Sequence, residues 1–169
     1  SGMRRTRRLF LTHLAGVLCA AALLWGAQAA EEPAFPVSPL TIETARGRYQ
    51  LMVEMAETPS TWRQGLQKRR QLAPDAGMLF NYQQPRAVTM WMKDTFISLD
   101  MIFIDERGLV VNIVENTQPM SLSTIPSEGP VLAVLELNAG TAAKLGLKRG
   151  DRIVHAIFAP MPAMAPAPG

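Results

Sequence analysis

The chain has 169 residues, with 17 Lys+Arg against 14 Asp+Glu, one cysteine and two histidines, a length that favours a single domain. The positive excess belongs to the first 29 residues: without Arg4, Arg5, Arg7 and Arg8, Lys+Arg falls from 17 to 13 against the same 14 acidic groups, a net charge of −1. Beyond Ala29 the chain has no cysteine and one histidine, His155; this excludes disulfides, a catalytic cysteine and a Cys/His zinc site, leaves a Ser-His-Asp triad only His155, and gives no nucleic-acid footprint.

In chain order, Ser1-Gly2 before Met3 reads as a tag-removal scar. Residues 3–29 then read as a signal peptide: an arginine-rich start, an apolar stretch from Leu9 to Gly26 and the small-x-small site Ala27-Gln28-Ala29. The stretch is shorter than the roughly 20 apolar residues that span a bilayer, so the expectation is cleavage, with no stable membrane anchor and a periplasmic or secreted product. Thr6-Arg7-Arg8-Leu9-Phe10-Leu11 resembles a twin-arginine signal, and a general secretory signal stands beside it as the alternative. Leu18 is too large for a lipidation signal at Cys19.

Residues 30–39, with Pro33, Pro36 and Pro39, read as a linker. The domain is expected over 40–158, and the Pro/Ala-rich residues 159–169 as a disordered tail. Leu40–Thr44 and Arg48–Met55 read as strands around a short turn; Tyr49, Leu51, Val53 and Met55 alternate with polar neighbours. Thr58-Pro59 starts a short helix, Thr as N-cap and Pro in its first turn. Strand signals resume at Met78–Phe80, Ala87–Lys93, Leu99–Ile104 and Leu109–Glu115, the last two joined by Asp105-Glu106-Arg107-Gly108 as a hairpin expected at the centre of the fold. Asn116 to Pro130 is a long connection of the kind that often carries function. Val131–Leu137 reads as a buried strand, Thr141–Leu145 as a helical turn, and Arg152–Phe158 as a closing strand. The sum is a mainly β, compact single-domain sandwich or barrel of about seven or eight strands with one or two short helices.

Charges at apolar positions point to chemistry. Period two puts Asp100 with Ile102 and Ile104, and Glu136 with Leu132 and Val134; a lone buried carboxyl needs a partner or a raised pKa. Lys93 is the nearest cation by pattern, with Arg70, Arg86 and Arg152 as other candidates. Trp91 and Lys93, two apart, are expected on one strand face, an aromatic surface beside a cation that suits an anionic or sugar-like ligand. Asp100 or Glu136 would orient Lys93, and the 116–130 loop would cover the mouth. Met90 and Met92, also two apart, offer soft thioethers to Cu(I), although methionine more often fills cores.

The Ala139–Val154 stretch resembles the small helix, Gly-Asp turn and strand of PDZ domains. The nearest upstream string to their carboxylate-binding loop, Gly77-Met78-Leu79-Phe80, has Leu79 where the second Gly belongs and lies at the wrong spacing, so the stretch reads as a tight turn launching a strand. Taken in order, other strings fit better: Gly77-Met78-Leu79-Phe80, Trp91-Met92-Lys93-Asp94-Thr95, Leu99-Asp100-Met101-Ile102-Phe103-Ile104-Asp105, Pro119, and Val134-Leu135-Glu136-Leu137-Asn138-Ala139-Gly140 with Gly146 and Gly150-Asp151. Together they resemble the domain of unknown function 192 family over about Gln50 to His155. Asp94 departs from the usual Asn and Ser98 from the usual Pro before Leu-Asp. The resemblance implies a compact, mainly β fold and frequent export, and no established activity.

The ligand-binding candidates are therefore Trp91, Lys93, Asp94, Thr95, Asp100 and Glu136. The expected role is a non-enzymatic periplasmic module that binds a small ligand or serves a periplasmic protein, without a resident metal or cofactor. The alternatives are a hydrolase or lyase using Lys93 with Asp100 or Glu136, and methionine-based copper binding.

Overall fold

A computed structural model describes residues 35–158; the signal segment 3–29 and the tail 159–169 fall outside the described residues. The element order is β1 (Val37–Thr44), β2 (Gly47–Ala56), α1 (Pro59–Gln64), β3 (Ala76–Arg86), β4 (Thr89–Met90), β5 (Leu99–Ile104), β6 (Val110–Val114), β7 (Ile125–Pro126), β8 (Val131–Asn138), α2 (Thr141–Leu145) and β9 (Arg152–Val154). The fold is mainly β. Seven strands form one sheet in the order β6-β5-β8-β3-β2-β1-β9, and β4 pairs with β7 in a second, two-stranded sheet.

The large sheet curls because its two edges are tied together. Leu109 bridges Arg152, and the amides of Val110 and Ile153 donate to the carbonyls of Asp151 and Gly108 at 2.9 and 2.7 Å. The result is a half-barrel rather than a sandwich, with β6 at an edge and not at the centre. The Asp105–Gly108 turn sits at this junction: Asp105 Oδ1 accepts the amides of Arg107 and Leu109, both at 2.9 Å. Gly108 has φ +80°, and a Cβ there would collide with the Ile153 carbonyl oxygen.

Both faces of the sheet are covered, which is why β5 and most of β8 are buried at successive positions. Ile42, Val53, Leu79, Ile102, Ile104, Leu135 and Leu137 fill the inside of the curl. Met78, Phe80, Leu99, Met101, Phe103 and Val134 face the other way, against Leu66, Val88 and Met92 with Trp62, Tyr82 and Met90 at the margin.

The parallel β2–β3 pair requires a crossover, and this crossover carries α1. Thr58 caps the helix by accepting the Thr61 amide at 3.2 Å, while Thr61 Oγ1 accepts the Thr58 amide at 2.9 Å. With its start fixed, the helix turns Trp62 toward β3.

Several segments differ from their sequence expectation. Val37 to Pro39, read as linker, belong to β1 and pair with β2. Arg152–Phe158 is strand only to Val154, followed by a turn in which the Phe158 amide donates to the His155 carbonyl at 3.1 Å. Ala87–Lys93 is strand only at Thr89–Met90, because Met92 to Thr95 forms a turn, with the Thr95 amide on the Met92 carbonyl at 3.2 Å and Asp94 at φ +53°. The 116–130 segment runs along this turn: the Met92 amide donates to the Ser121 carbonyl and the Met120 amide to the Thr95 carbonyl, both at 3.0 Å.

Candidate functional site

The pairing register separates the two carboxyls. On β5 and β8, Met101 lies opposite Glu136 and Asp100 opposite Leu137. Side chains alternate along a strand, so Asp100 and Glu136 point to opposite faces of one sheet. Asp100 enters the inside of the curl, fully buried. Its Oδ1 accepts the Asn116 amide and its Oδ2 the Ala142 amide, both at 2.9 Å. It ties β5 to α2 and to the segment after β6, and it does not meet Lys93. Leu132, expected beside Val134, packs inside the curl with Leu135 and Leu137.

Glu136 faces the other way. It is 4% exposed and stands at the floor of a cavity of about 680 Å³. Among the described residues no group hydrogen-bonds or ion-pairs its carboxyl, and burial pushes its pKa up to about 8. At neutral pH the floor of the cavity is therefore a mostly protonated acid, which can both donate and accept.

Aromatic rings form the walls. The Trp62 indole N–H is shared by the carbonyls of Ala56 and Asn81, at 2.9 and 3.1 Å, which fixes the ring between the end of β2 and the middle of β3. Tyr82 comes two residues after Phe80 on the same face of β3, its ring 5.3 Å from that of Trp62 at an interplanar angle of 44°. The Tyr82 hydroxyl donates to Met90 Sδ at 3.2 Å. Burial pushes that hydroxyl's pKa far up, the Glu136 charge adds to this, and Arg86 opposes it. Trp91, half exposed, lines the same cavity.

Cations occupy the rim. Arg86 lies 5.2 Å from the Tyr82 ring centroid, and the Lys93 ammonium lies 5.4 Å from that of Trp91. Both stack on aromatic faces, and neither is among the ion pairs of the described residues. Gln64 and Gln67, at the C-terminal end of α1 and just beyond, also line the cavity, and their side chains make no hydrogen bond to protein among the described residues.

Of the six residues expected from sequence, Trp91, Lys93, Thr95 and Glu136 line one cavity. Trp91 and Lys93 meet through a turn and not along a strand face. Asp94 and Asp100 are not part of the lining: Asp94 occupies the left-handed turn position that favours Asn and Asp, with its carbonyl accepting the Lys68 amide at 2.7 Å. The 116–130 segment contributes no lining residue; it braces the cavity from behind, with β7 paired to β4. Trp62, Tyr82 and Arg86 complete the site. The sequence signal for Tyr82 is its period-two relation to Met78 and Phe80, and that for Trp62 is a helix beginning at a strong cap.

Met90 and Met92 do not converge. Met90 accepts from Tyr82, whereas Met92 is buried and accepts from Thr117 Oγ1 at 3.2 Å. These thioethers are core and wall groups facing different hydroxyls.

A larger cavity, about 750 Å³, lies at the β1–β9 edge and contains Ser38 and His155, whose Oγ and Nε2 are 2.9 Å apart. His155 Nδ1 accepts the Ile157 amide at 3.3 Å. A neutral ring then carries its proton on Nε2 and donates to Ser38, so His155 cannot take the serine proton. Burial lowers the His155 pKa, with Glu57 pulling the other way, which favours this neutral form. The chemistry gathers around Glu136 instead.

The family model described as DUF192, "Uncharacterized ACR", matches residues 41–155. Two solved structures are similar. One is described as a candidate transcription regulator from Sinorhizobium meliloti 1021, with 47% identity over 73% of this chain and 96% of that one, at a TM-score of 0.71. The other is a protein of unknown function from Novosphingobium aromaticivorans DSM 12444, with 37% identity over 75% of this chain and 94% of that one, at a TM-score of 0.70. No curated protein matches the chain.

Proposed function

The chain belongs to the domain of unknown function 192 family, and within it we propose that this member is an exported, non-enzymatic module that binds a small ring-bearing molecule in the Glu136 cavity. The observation that carries the reading is a buried carboxyl without a protein partner among the described residues, aimed into a cavity walled by Trp62, Tyr82 and Trp91. An apolar enclosure with a few convergent polar groups is the usual make-up of a small-molecule site. An unpartnered buried acid costs stability, and a ligand that pairs with it recovers part of that cost. Export rests on the arginine-rich, apolar and Ala-Gln-Ala pattern of residues 3–29.

The transcription-regulator description of the Sinorhizobium protein is not adopted, because the residues after Ala29 carry a net charge of −1 and nucleic-acid binding is dominated by cationic contacts to phosphate.

The test is to follow the indole N–H signals of the full chain while single-ring probes (benzoate, benzylamine, glucose and galacturonate) are added. The chain has three tryptophans, and a Trp25→Phe variant identifies the Trp62 and Trp91 signals. Saturable shifts of these two signals with at least one probe support the reading, and two indoles unmoved by every probe refute it.

A hydrolase or lyase is the second reading, favoured by one observation: Lys93 and Glu136 line the same cavity, and an acid with a pKa near 8 suits proton transfer near neutral pH. Release of p-nitrophenol from the p-nitrophenyl glycoside or ester of a ring that binds, lost in Glu136→Gln, would favour it over simple binding.

A further inference from the structure

We propose that the molecule taken by the Glu136 cavity is a sugar acid: a pyranose ring bearing one carboxylate, bound with an uncharged ring oxygen toward Glu136 and the carboxylate toward Arg86 and Lys93. The inference rests on the ligand-binding reading above and narrows it to a chemical class.

The floor selects against a cation. The charged or titratable groups lining the cavity with Glu136 are Tyr82 and Arg86 from β3, Arg63 from α1 and Lys93 from the 92–95 turn. Its register neighbours, Met78 on β3 and Met101 on β5, do not titrate. Three cations thus share the cavity with this acid, and none forms an ion pair with it. Arg86 and Lys93 lie on aromatic rings instead. That arrangement belongs to an uncharged carboxyl, whose proton is best met by an oxygen acceptor. An ammonium group would first have to expel this proton and would then sit among three positive charges.

The rim selects for an anion. Arg86 and Lys93 have no carboxylate partner among the described residues and stand at the mouth of the same cavity. A ligand carboxylate completes both with charge-assisted hydrogen bonds.

The walls select for a ring with polar substituents. Trp62 and Trp91 offer flat apolar faces to the C–H side of a pyranose. Gln64 and Gln67 are among the lining residues, and their amides, unpaired among the described residues, can match hydroxyl groups, which an aryl acid lacks. The cavity of about 680 Å³ is ample for a ring of this size.

Galacturonate, galactose and galactosamine test the class, because they share one ring and differ in charge. The full chain carrying Trp25→Phe is titrated with each at pH 6.5, and the emission of Trp62 and Trp91 is followed. Galacturonate is expected to bind at least about tenfold more tightly than galactose, the value of one charge-assisted contact, and galactosamine more weakly than both. Lys93→Met is expected to bring galacturonate down toward the galactose level. Glu106→Gln, at an exposed residue outside the cavity lining, is expected to keep wild-type binding and serves as the fold-preserving variant. Galactose or galactosamine binding as tightly as galacturonate would overturn the proposal. Response to benzoate or benzylamine with none to the three sugars would overturn the ligand class and leave the binding reading standing. Silence toward every probe would remove both.

Discussion

Asp100 and Glu136 occupy adjacent register positions on β5 and β8 and yet serve opposite faces of the sheet. One carboxyl is spent on structure and the other is left open to a cavity. Asp100 accepts two backbone amides, at Asn116 and Ala142, so Asp100→Ala leaves both donors unsatisfied in a fully buried place. The expected loss is about 2–3 kcal/mol, read from the urea midpoint, with probe binding at the Glu136 cavity unchanged at temperatures where the variant stays folded. A stability change within about 0.5 kcal/mol would show that these bonds matter little.

Glu136 gives the domain a pH dependence of unusual sign for an acid. Its folded pKa, about 8, lies above its ordinary value of 4.5, so between these values the folded state holds a proton that the unfolded state has released. This contribution is complete below about 4.5 and is lost as pH rises through 8, at up to about 1.4 kcal/mol per pH unit. His155, whose pKa burial lowers, works the other way around pH 6.5. Asp105 is pushed up by burial but held below 3.8 by hydrogen bonds from Leu109 and Arg107, so its contribution is lost only in stronger acid. Comparison with Glu136→Gln isolates the Glu136 part: the variant gains on the wild type as pH rises from about 5 to 8. Parallel profiles would contradict this.

Closure of the half-barrel depends on Gly108. Its positive φ and the closeness of the Ile153 carbonyl leave no room for a methyl group, and Gly108→Ala is expected to cost about 2–4 kcal/mol. Hydrogen exchange is expected to quicken first at the Ile153 and Val110 amides, which bond across the junction. Uniform acceleration over the sheet would argue that the junction is no separate unit.

Lys93 stacks on Trp91 in a largely solvent-facing position, and a cation–π contact at such a site is worth about 0.5–1 kcal/mol. Lys93→Met is accordingly expected to shift stability by no more than about 1 kcal/mol while weakening anionic probes. An unfolded variant would mean that the charge is a structural element.

Period two is a hard geometric rule, and it made much of the fold legible in the sequence. It carries Asp100 to the side of Ile102 and Ile104, Glu136 to the side of Val134, and the Asp105–Gly108 turn to the end of a hairpin. It cannot relate one strand to another. That Asp100 and Glu136 face apart comes from the Met101–Glu136 pairing, and register is a tertiary property. The same limit hides Trp62 and Tyr82, which are far apart along the chain but only 5.3 Å apart between ring centroids. At Ala87–Lys93 the alternation is genuine but the backbone is not extended throughout, because Asp94 adopts a left-handed turn that local apolar pattern does not reveal. Length alone suggests a lid for the 116–130 segment; its backbone bonds to Met92 and Thr95 make it a brace.

The central claim is that Glu136 is a buried acid with no partner among the described residues. The most direct measurement is the carboxyl carbon shift of Glu136 against pH, in chain labelled at glutamate, with Glu136→Gln identifying the signal. A midpoint near 8 is the expected result, displaced upward when galacturonate is bound because an acceptor favours the protonated form. A midpoint near the ordinary 4.5 would mean that the carboxyl is solvated or paired, and the proposed chemistry of the cavity would fail.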